Sequence, residues 1–284
     1  MQVENVGAYL SQIVEDHVST ALKNWLGGKI KNIVDERSAK DLYLTYSLIG
    51  TKFGSEENLE FATDSDVGQY LKTQRANIRQ VARIYLLVKV LEADTDFFAP
   101  KVANIIQVAD TGELETFLKF LILLPDPVRY KTTAVDALRT NIATVFNAIA
   151  YNNPYPSLFF NDQQWNQMYL KTAFMQGDLS AIMDIDKMAN TDLVRIISDY
   201  AHERWAAGRA IDPYFWRPVS KFLNDTLLGD MKRLLASDDP MENKAGALCC
   251  YGSDYPEAKK ELENHEDLVG QIENKTLTWE NLKE

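Results

Sequence analysis

Residues 190–218, NTDLVRIISDYAHERWAAGRAIDPYFWRP, concentrate the groups that can do chemistry: one of the three histidines, two of the five tryptophans and four arginines. His202-Glu203 invites a zinc-protease reading, but that motif needs a second histidine one helical turn on, and position 206 is alanine. Asp184, Asp186, Asn190 and Asp192 resemble a calcium loop only faintly. The turn glycine and the bidentate glutamate are missing at the required offsets. No glycine-rich phosphate loop occurs, and Gly252-Ser253 lacks the flanking glycine of a nucleophile elbow. No metal and no cofactor are therefore expected.

What remains is a recognition surface. At about 100° per residue, Leu193, Ile196, Ile197 and Tyr200 share one helical face with Arg204 near its middle. An arginine on an apolar stripe needs a carboxylate, a helix-end carbonyl or an anionic ligand as partner. The expectation is a buried anchor clamping neighbouring repeats. Ser198, His202, Trp205 and Arg209 fall together on the adjacent face. Histidine beside tryptophan and arginine can recognise a ligand with a planar and an anionic part, or simply form a packed seam. Asp212-Pro213 fits an N-cap followed by proline, after which Trp216 and Arg217 come back toward the first helix. A second polar-aromatic stretch, residues 141–171, holds Asn152, Asn153, Tyr155 and Asn166. Amides among aromatics suit recognition of a neutral polar molecule, or a loop that satisfies its own backbone.

These groups must be positioned by helices. Periodicity predicts helices over 3–24 (ended by Gly27-Gly28), 35–53, 66–73, 77–91, 94–109, 112–124, 127–140 and 141–151 (as one bent helix or two), from 161 or 162 to about 175, short helices up to 188, a helix, tight corner and second helix over 191–218, then 221–236, 240–251 and 256 to about 264. Residues 55–65 read as an acidic exposed loop. Pro154 and Pro156 forbid a regular helix over 152–161, and a polar tail follows residue 264. No stretch alternates with period two. The expected fold class is all-α: stacked antiparallel helix pairs in an irregular HEAT- or armadillo-like solenoid. Arginine-bearing apolar helices recur near Asn77, Ala134 and Thr191. A single helical domain over 1–284 is expected, with 1–20 and 265–284 peripheral.

Composition excludes several functions. The net charge of −11 repels phosphate backbones and anionic membranes, so neither nucleic-acid binding nor membrane attachment is expected. The apolar runs at 84–91 and 117–125 fall far short of the roughly 20 residues a membrane helix needs. The start of the chain lacks a signal-peptide pattern. Adjacent Cys249 and Cys250 predict reduced thiols packed in a helix and a cytoplasmic setting.

Three segments carry a resemblance: ALRTNIATVFNAIAYNNPYP (137–156), QWNQMYLKTAFMQGDL (164–179) and SDYAHERWAAGRAIDPYFWRPV (198–219) closely resemble the EboA family. The likeness extends over most of residues 20–250. It implies a helical, cytoplasmic bacterial protein from a small operon associated with moving a metabolite precursor out of the cytoplasm. Its expected partners are a small-molecule metabolite or other proteins of the operon. The family brings no catalytic residues to carry over. The leading expectation is a non-catalytic helical-repeat protein that binds a metabolite or a partner. The alternative is an enzyme acting on an anionic or aromatic metabolite, with His202 as acid–base and Arg204, Arg209 or Arg217 holding the substrate.

Overall fold

A computed structural model describes residues 5–54 and 57–283. Every regular element among them is helical, and the one β-type pairing is an isolated bridge between Asn58 and Asn77. The all-α class expected from the sequence is what the chain adopts. No helix among the described residues is long and apolar enough to cross a membrane. Residues 55 and 56 of the expected acidic loop lie outside the described residues. The chain divides into two compact units, one ending at Phe160 and one beginning at Asn161.

The first unit contains α1 (Val6–His17), α2 (Thr20–Glu36), α3 (Ala39–Lys52), α4 (Asp66–Thr73), α5 (Ile78–Ala93) and α6 (Thr95–Ala103). It continues with α7 (Ile105–Val108), α8 (Thr111–Lys119), α9 (Lys131–Ala137), α10 (Ala143–Ala150) and α11 (Tyr155–Phe159). Helix α5 starts at a reciprocal capping box between Asn77 and Gln80. It is apolar nearly all round, so it must be enclosed. Accordingly α1, α2, α3, α6 and α8 all pack on it.

Arg83 of α5 is 7% exposed and spends its donors inside the unit. Its Nε donates to the Tyr46 carbonyl (3.2 Å), its Nη2 reaches Glu113 Oε1 (3.5 Å), and its guanidinium lies 5.3 Å from the Tyr46 ring centroid. Glu113 also closes the capping box that starts α8, accepting from the Asp110 backbone N–H at 3.1 Å. One ion pair therefore joins α3, α5 and α8. Gly50 leaves room for it: a Cβ there would stand 2.7 Å from Arg83 Nη2.

The second unit contains α12 (Asp162–Phe174), α13 (Ile185–Met188), α14 (Thr191–Ala206), a 3-10 helix (Pro213–Phe222) and α15 (Asp225–Leu235). Helices α16 (Pro240–Tyr251), α17 (Pro256–Glu261) and α18 (Glu266–Glu273) complete it. Here α16 is central, touched by the 3-10 helix, α15, α17 and α18. Its small residues allow this: a Cβ on Gly246 would come within 3.0 Å of the Leu234 side chain. Cys249 and Cys250 are free and buried in α16. Burial pushes the Cys250 thiol up to about 12 and the Cys249 thiol higher still, so both stay protonated at neutral pH.

Several elements differ from expectation. The helix predicted over 3–24 breaks at Ser19, whose hydroxyl accepts from the Leu22 N–H and starts a new helix. Gly27-Gly28 then lies inside α2 rather than ending it. Both face open space, and buried Leu26 and Ile33 fix the helix on either side of them. Residues 155–159 do form a short helix, because Pro154 and Pro156 sit at its first turn, where no N–H is needed. The polar tail after 264 includes α18 and the buried leucines 268, 277 and 282. Leu10 of the expected N-terminal periphery is likewise fully buried. Both units gather helices round a central one. The HEAT- or armadillo-like stack is not established by this arrangement.

Removing Glu113 strands a buried guanidinium. Glu113→Ala is expected to cost about 3 kcal/mol in urea unfolding. A cost below about 1 kcal/mol would contradict the buried pair as the tie among α3, α5 and α8.

Candidate functional site

Helix α14 is fixed at its start by an amide pair. Asn190 caps it, accepting from the Leu193 N–H (3.0 Å), and exchanges reciprocal hydrogen bonds of 3.0 and 2.9 Å with Asn166 of α12. Asn166 is 6% exposed and fully engaged in this pair. It thus works as a bolt between two helices.

The far end of α14 turns on Gly208, the one described glycine with positive φ (63°). The Gly208 N–H donates to the Trp205 carbonyl and the Arg209 N–H to the Arg204 carbonyl. Arg204 then reaches across the corner, its Nε (3.2 Å) and Nη2 (2.7 Å) both donating to the Ala210 carbonyl. Asp212 caps the next helix by accepting from the Tyr214 N–H (2.9 Å), with Pro213 in its first turn. Arg204 is half-buried, not a buried anchor between repeats, and its partner is a carbonyl of its own corner. Its Nη1 makes no hydrogen bond among the described residues.

Beside this guanidinium opens a cleft of about 430 Å³. Phe174, Tyr200 and Phe215 wall it, with Leu179, Ile211 and Pro213 between them and the carboxylates of Asp212 and Asp239 also lining it. The rings continue a ladder from the core. Trp165 stacks on Tyr169 (5.3 Å, 13°) and Tyr169 on Phe215 (5.8 Å, 8°). Phe215 meets Tyr200 edge-on (5.5 Å, 74°), and Tyr200 meets Phe174 (4.8 Å, 43°). Phe174 ends the ladder 54% exposed. A flat ring has aromatic surface to rest on here, and an acceptor group has Arg204 to meet.

The adjacent face of α14 is tied to α15. Ser198 Oγ donates to Asp230 Oδ2 at 2.6 Å, and His202 Nε2 lies 2.6 Å from Asp230 Oδ1. Asp230 of α15 is 3% exposed. The carboxylate thus sits between serine and imidazole. Ser198 makes no hydrogen bond to His202, so the order needed to activate a serine nucleophile is absent. Trp205 is sandwiched between Trp216, stacked at 5.6 Å and 20°, and the Arg233 guanidinium, 4.3 Å from its ring. No ligand fits between the two tryptophans.

The remaining predicted site residues serve other ends. Arg217 forms a bidentate pair with Asp186 (2.6–3.1 Å), meets Glu280 (3.0 Å) and donates to the Tyr214 hydroxyl (2.6 Å). Burial alone would lower its pKa, but these anionic and hydroxyl partners raise it instead. Arg209 is exposed at the corner. In the first unit, Asn153 donates to the carbonyls of Leu118 (3.2 Å) and Ala148 (3.0 Å) and accepts from the Tyr155 N–H (3.0 Å). Tyr155 is fully buried, donating to the Pro127 carbonyl (2.7 Å). Asn152 adopts φ 51°, and its carbonyl accepts from Gln74 (2.8 Å). These three hold their own loop in place.

Sequence reasoning missed Asp230, Arg233, Phe174 and Phe215. Asp230 had a signal, since it lies on the α15 face that buries Leu227, Met231 and Leu234. The cleft walls had none, because they come from three separate segments.

The fold and this corner define an all-α protein with an aromatic cleft beside an arginine that braces a loop. The chain belongs to the EboA family: it matches that family, described as metabolite traffic protein EboA, over residues 6–220. No curated protein and no solved structure matches the chain. The matched segment includes every cleft residue except Asp239, and stops before α15 with its Asp230 and Arg233.

Asp230→Ala leaves Ser198 without its buried acceptor and unties α14 from α15. The expected loss is about 2 kcal/mol of unfolding free energy. An unchanged denaturation midpoint would show that the seam does not hold these helices.

Proposed function

We propose that the chain is a non-catalytic helical protein that binds a metabolite in the Arg204 cleft during metabolite traffic in the bacterial cytoplasm, ahead of export to the periplasm. The ligand is planar, with a carboxylate or similar acceptor. The observation that carries this reading is the geometry of Arg204. Two of its nitrogens are spent on the Ala210 carbonyl, which fixes the guanidinium, and the arginine lines the same cleft as three aromatic rings. Fixing the cation beforehand reduces the entropy lost when a ligand binds. The family's description as a metabolite traffic protein supports a carrier or partner role.

A second reading keeps the enzyme. Asp230 orients the His202 ring, whose side chain is 57% exposed and so open to a substrate as acid or base. Against it stand the sandwiched Trp205 and the bond from Ser198 to Asp230 rather than to His202.

One titration separates the two. 2-Naphthoate, a flat carboxylate, is expected to bind the purified protein by calorimetry. Phe174→Ala and Arg204→Ala should each weaken it about tenfold, which is the size of one lost charge-assisted hydrogen bond or ring contact. His202→Ala should bind as the parent does. Binding lost in His202→Ala but kept in Arg204→Ala would transfer the site to the His202 face. No binding by the parent protein would remove support for a planar anionic ligand.

A further inference from the structure

The wall of the Arg204 cleft at Asp212 and Pro213 is held from the other side by the C-terminal segment. Leu277 and Leu282 anchor that segment, 2% and 0% exposed. Between them a turn closes on itself: Asn281 Oδ1 accepts from the Thr278 N–H (2.7 Å), and Asn281 Nδ2 donates to the Thr276 carbonyl (3.2 Å). The turn presents three side chains to the Pro213–Phe222 helix. Trp279 meets the Tyr214 ring edge-on at 5.7 Å, and Glu280 lies 3.0 Å from Arg217 Nη2. Lys283 donates to Asp212 Oδ2 at 2.7 Å, with its ammonium 5.6 Å from the Tyr214 ring centroid. Asp212 is the pivot: one oxygen caps the helix through the Tyr214 N–H, and the other is held by Lys283.

We propose that residues 276–283 form a strap that sets the position of the cleft wall at 210–213, so that loosening the strap loosens the cleft. The effect on ligand affinity rests on the cleft being the ligand site; the mechanical effect on the wall does not. The leucines keep the strap attached, while the ionic contacts hold the wall in register. Glu280 is 71% exposed and Lys283 41% exposed, so these contacts are the salt-sensitive part of the strap. The strap lies wholly beyond residue 220, where the family match ends.

The test uses the full chain carrying Glu280→Gln and Lys283→Met together, which removes both charges and leaves Leu277, Trp279 and Leu282 in place. Amide hydrogen exchange at 210–217 is expected to quicken about fivefold, with exchange in α16 unchanged. The dissociation constant for 2-naphthoate should rise about threefold. Unchanged exchange at 210–217 would overturn the strap. Equal quickening in α16 would also overturn it, because the segment would then be ordinary core. Local quickening with unaltered naphthoate affinity would overturn its control of the cleft. If the parent protein binds no naphthoate, the ligand reading falls, and the exchange result still decides whether the strap sets the wall.

Discussion

Two hydrogen bonds from the Arg204 guanidinium to the Ala210 carbonyl hold the corner that the second unit turns on. The Gly208 and Arg209 N–H groups already cap the last carbonyls of α14, and the Arg204 bonds add a side-chain tie to the chain beyond them. With that tie, residues 210–212 are held beside α14, and Asp212-Pro213 starts the next helix from a defined place. The same bonds limit what Arg204 can do. It is too engaged to be a free cation, and it is half-buried where it lines the cleft.

Helix α14 therefore has two faces of different character. On one, Asp230 absorbs the polarity of Ser198 and His202, while Arg233 and Trp216 cover Trp205. Polar groups there are satisfied by protein, which stiffens the packing of α14 on α15. On the other, a ladder of rings runs from the core through Tyr169 and Phe215 to the exposed edge of Phe174. A buried ladder gives a rigid platform, and rigidity is what a shallow site needs to bind a flat molecule. In the first unit the comparable polar group, Arg83 with Glu113, is enclosed and structural.

Much of the local structure was legible. The corner after α14, the cap at Asp212 and the all-helical class follow from short-range rules. Those rules depend only on neighbouring residues. The sequence marks Arg204 as an arginine that needs a partner, and the structure supplies the loop carbonyl of Ala210 rather than a carboxylate or a helix-end carbonyl. Its surroundings were not legible, because Phe174, Tyr200 and Phe215 meet only through tertiary packing. Gly27-Gly28 misled for a related reason. Two exposed glycines each cost a helix about 1 kcal/mol, which the burial of Leu26 and Ile33 offsets. The C-terminal strap was hidden by its composition: its few leucines are all buried, but they are scattered among polar residues.

The place of the ligand is the central point, and a crystal structure of the protein soaked with 2-naphthoate tests it most directly. The expected density is a flat ring against Tyr200 and Phe174 with its carboxylate at Arg204 Nη1. An empty cleft with density beside His202 and Trp205 would contradict it.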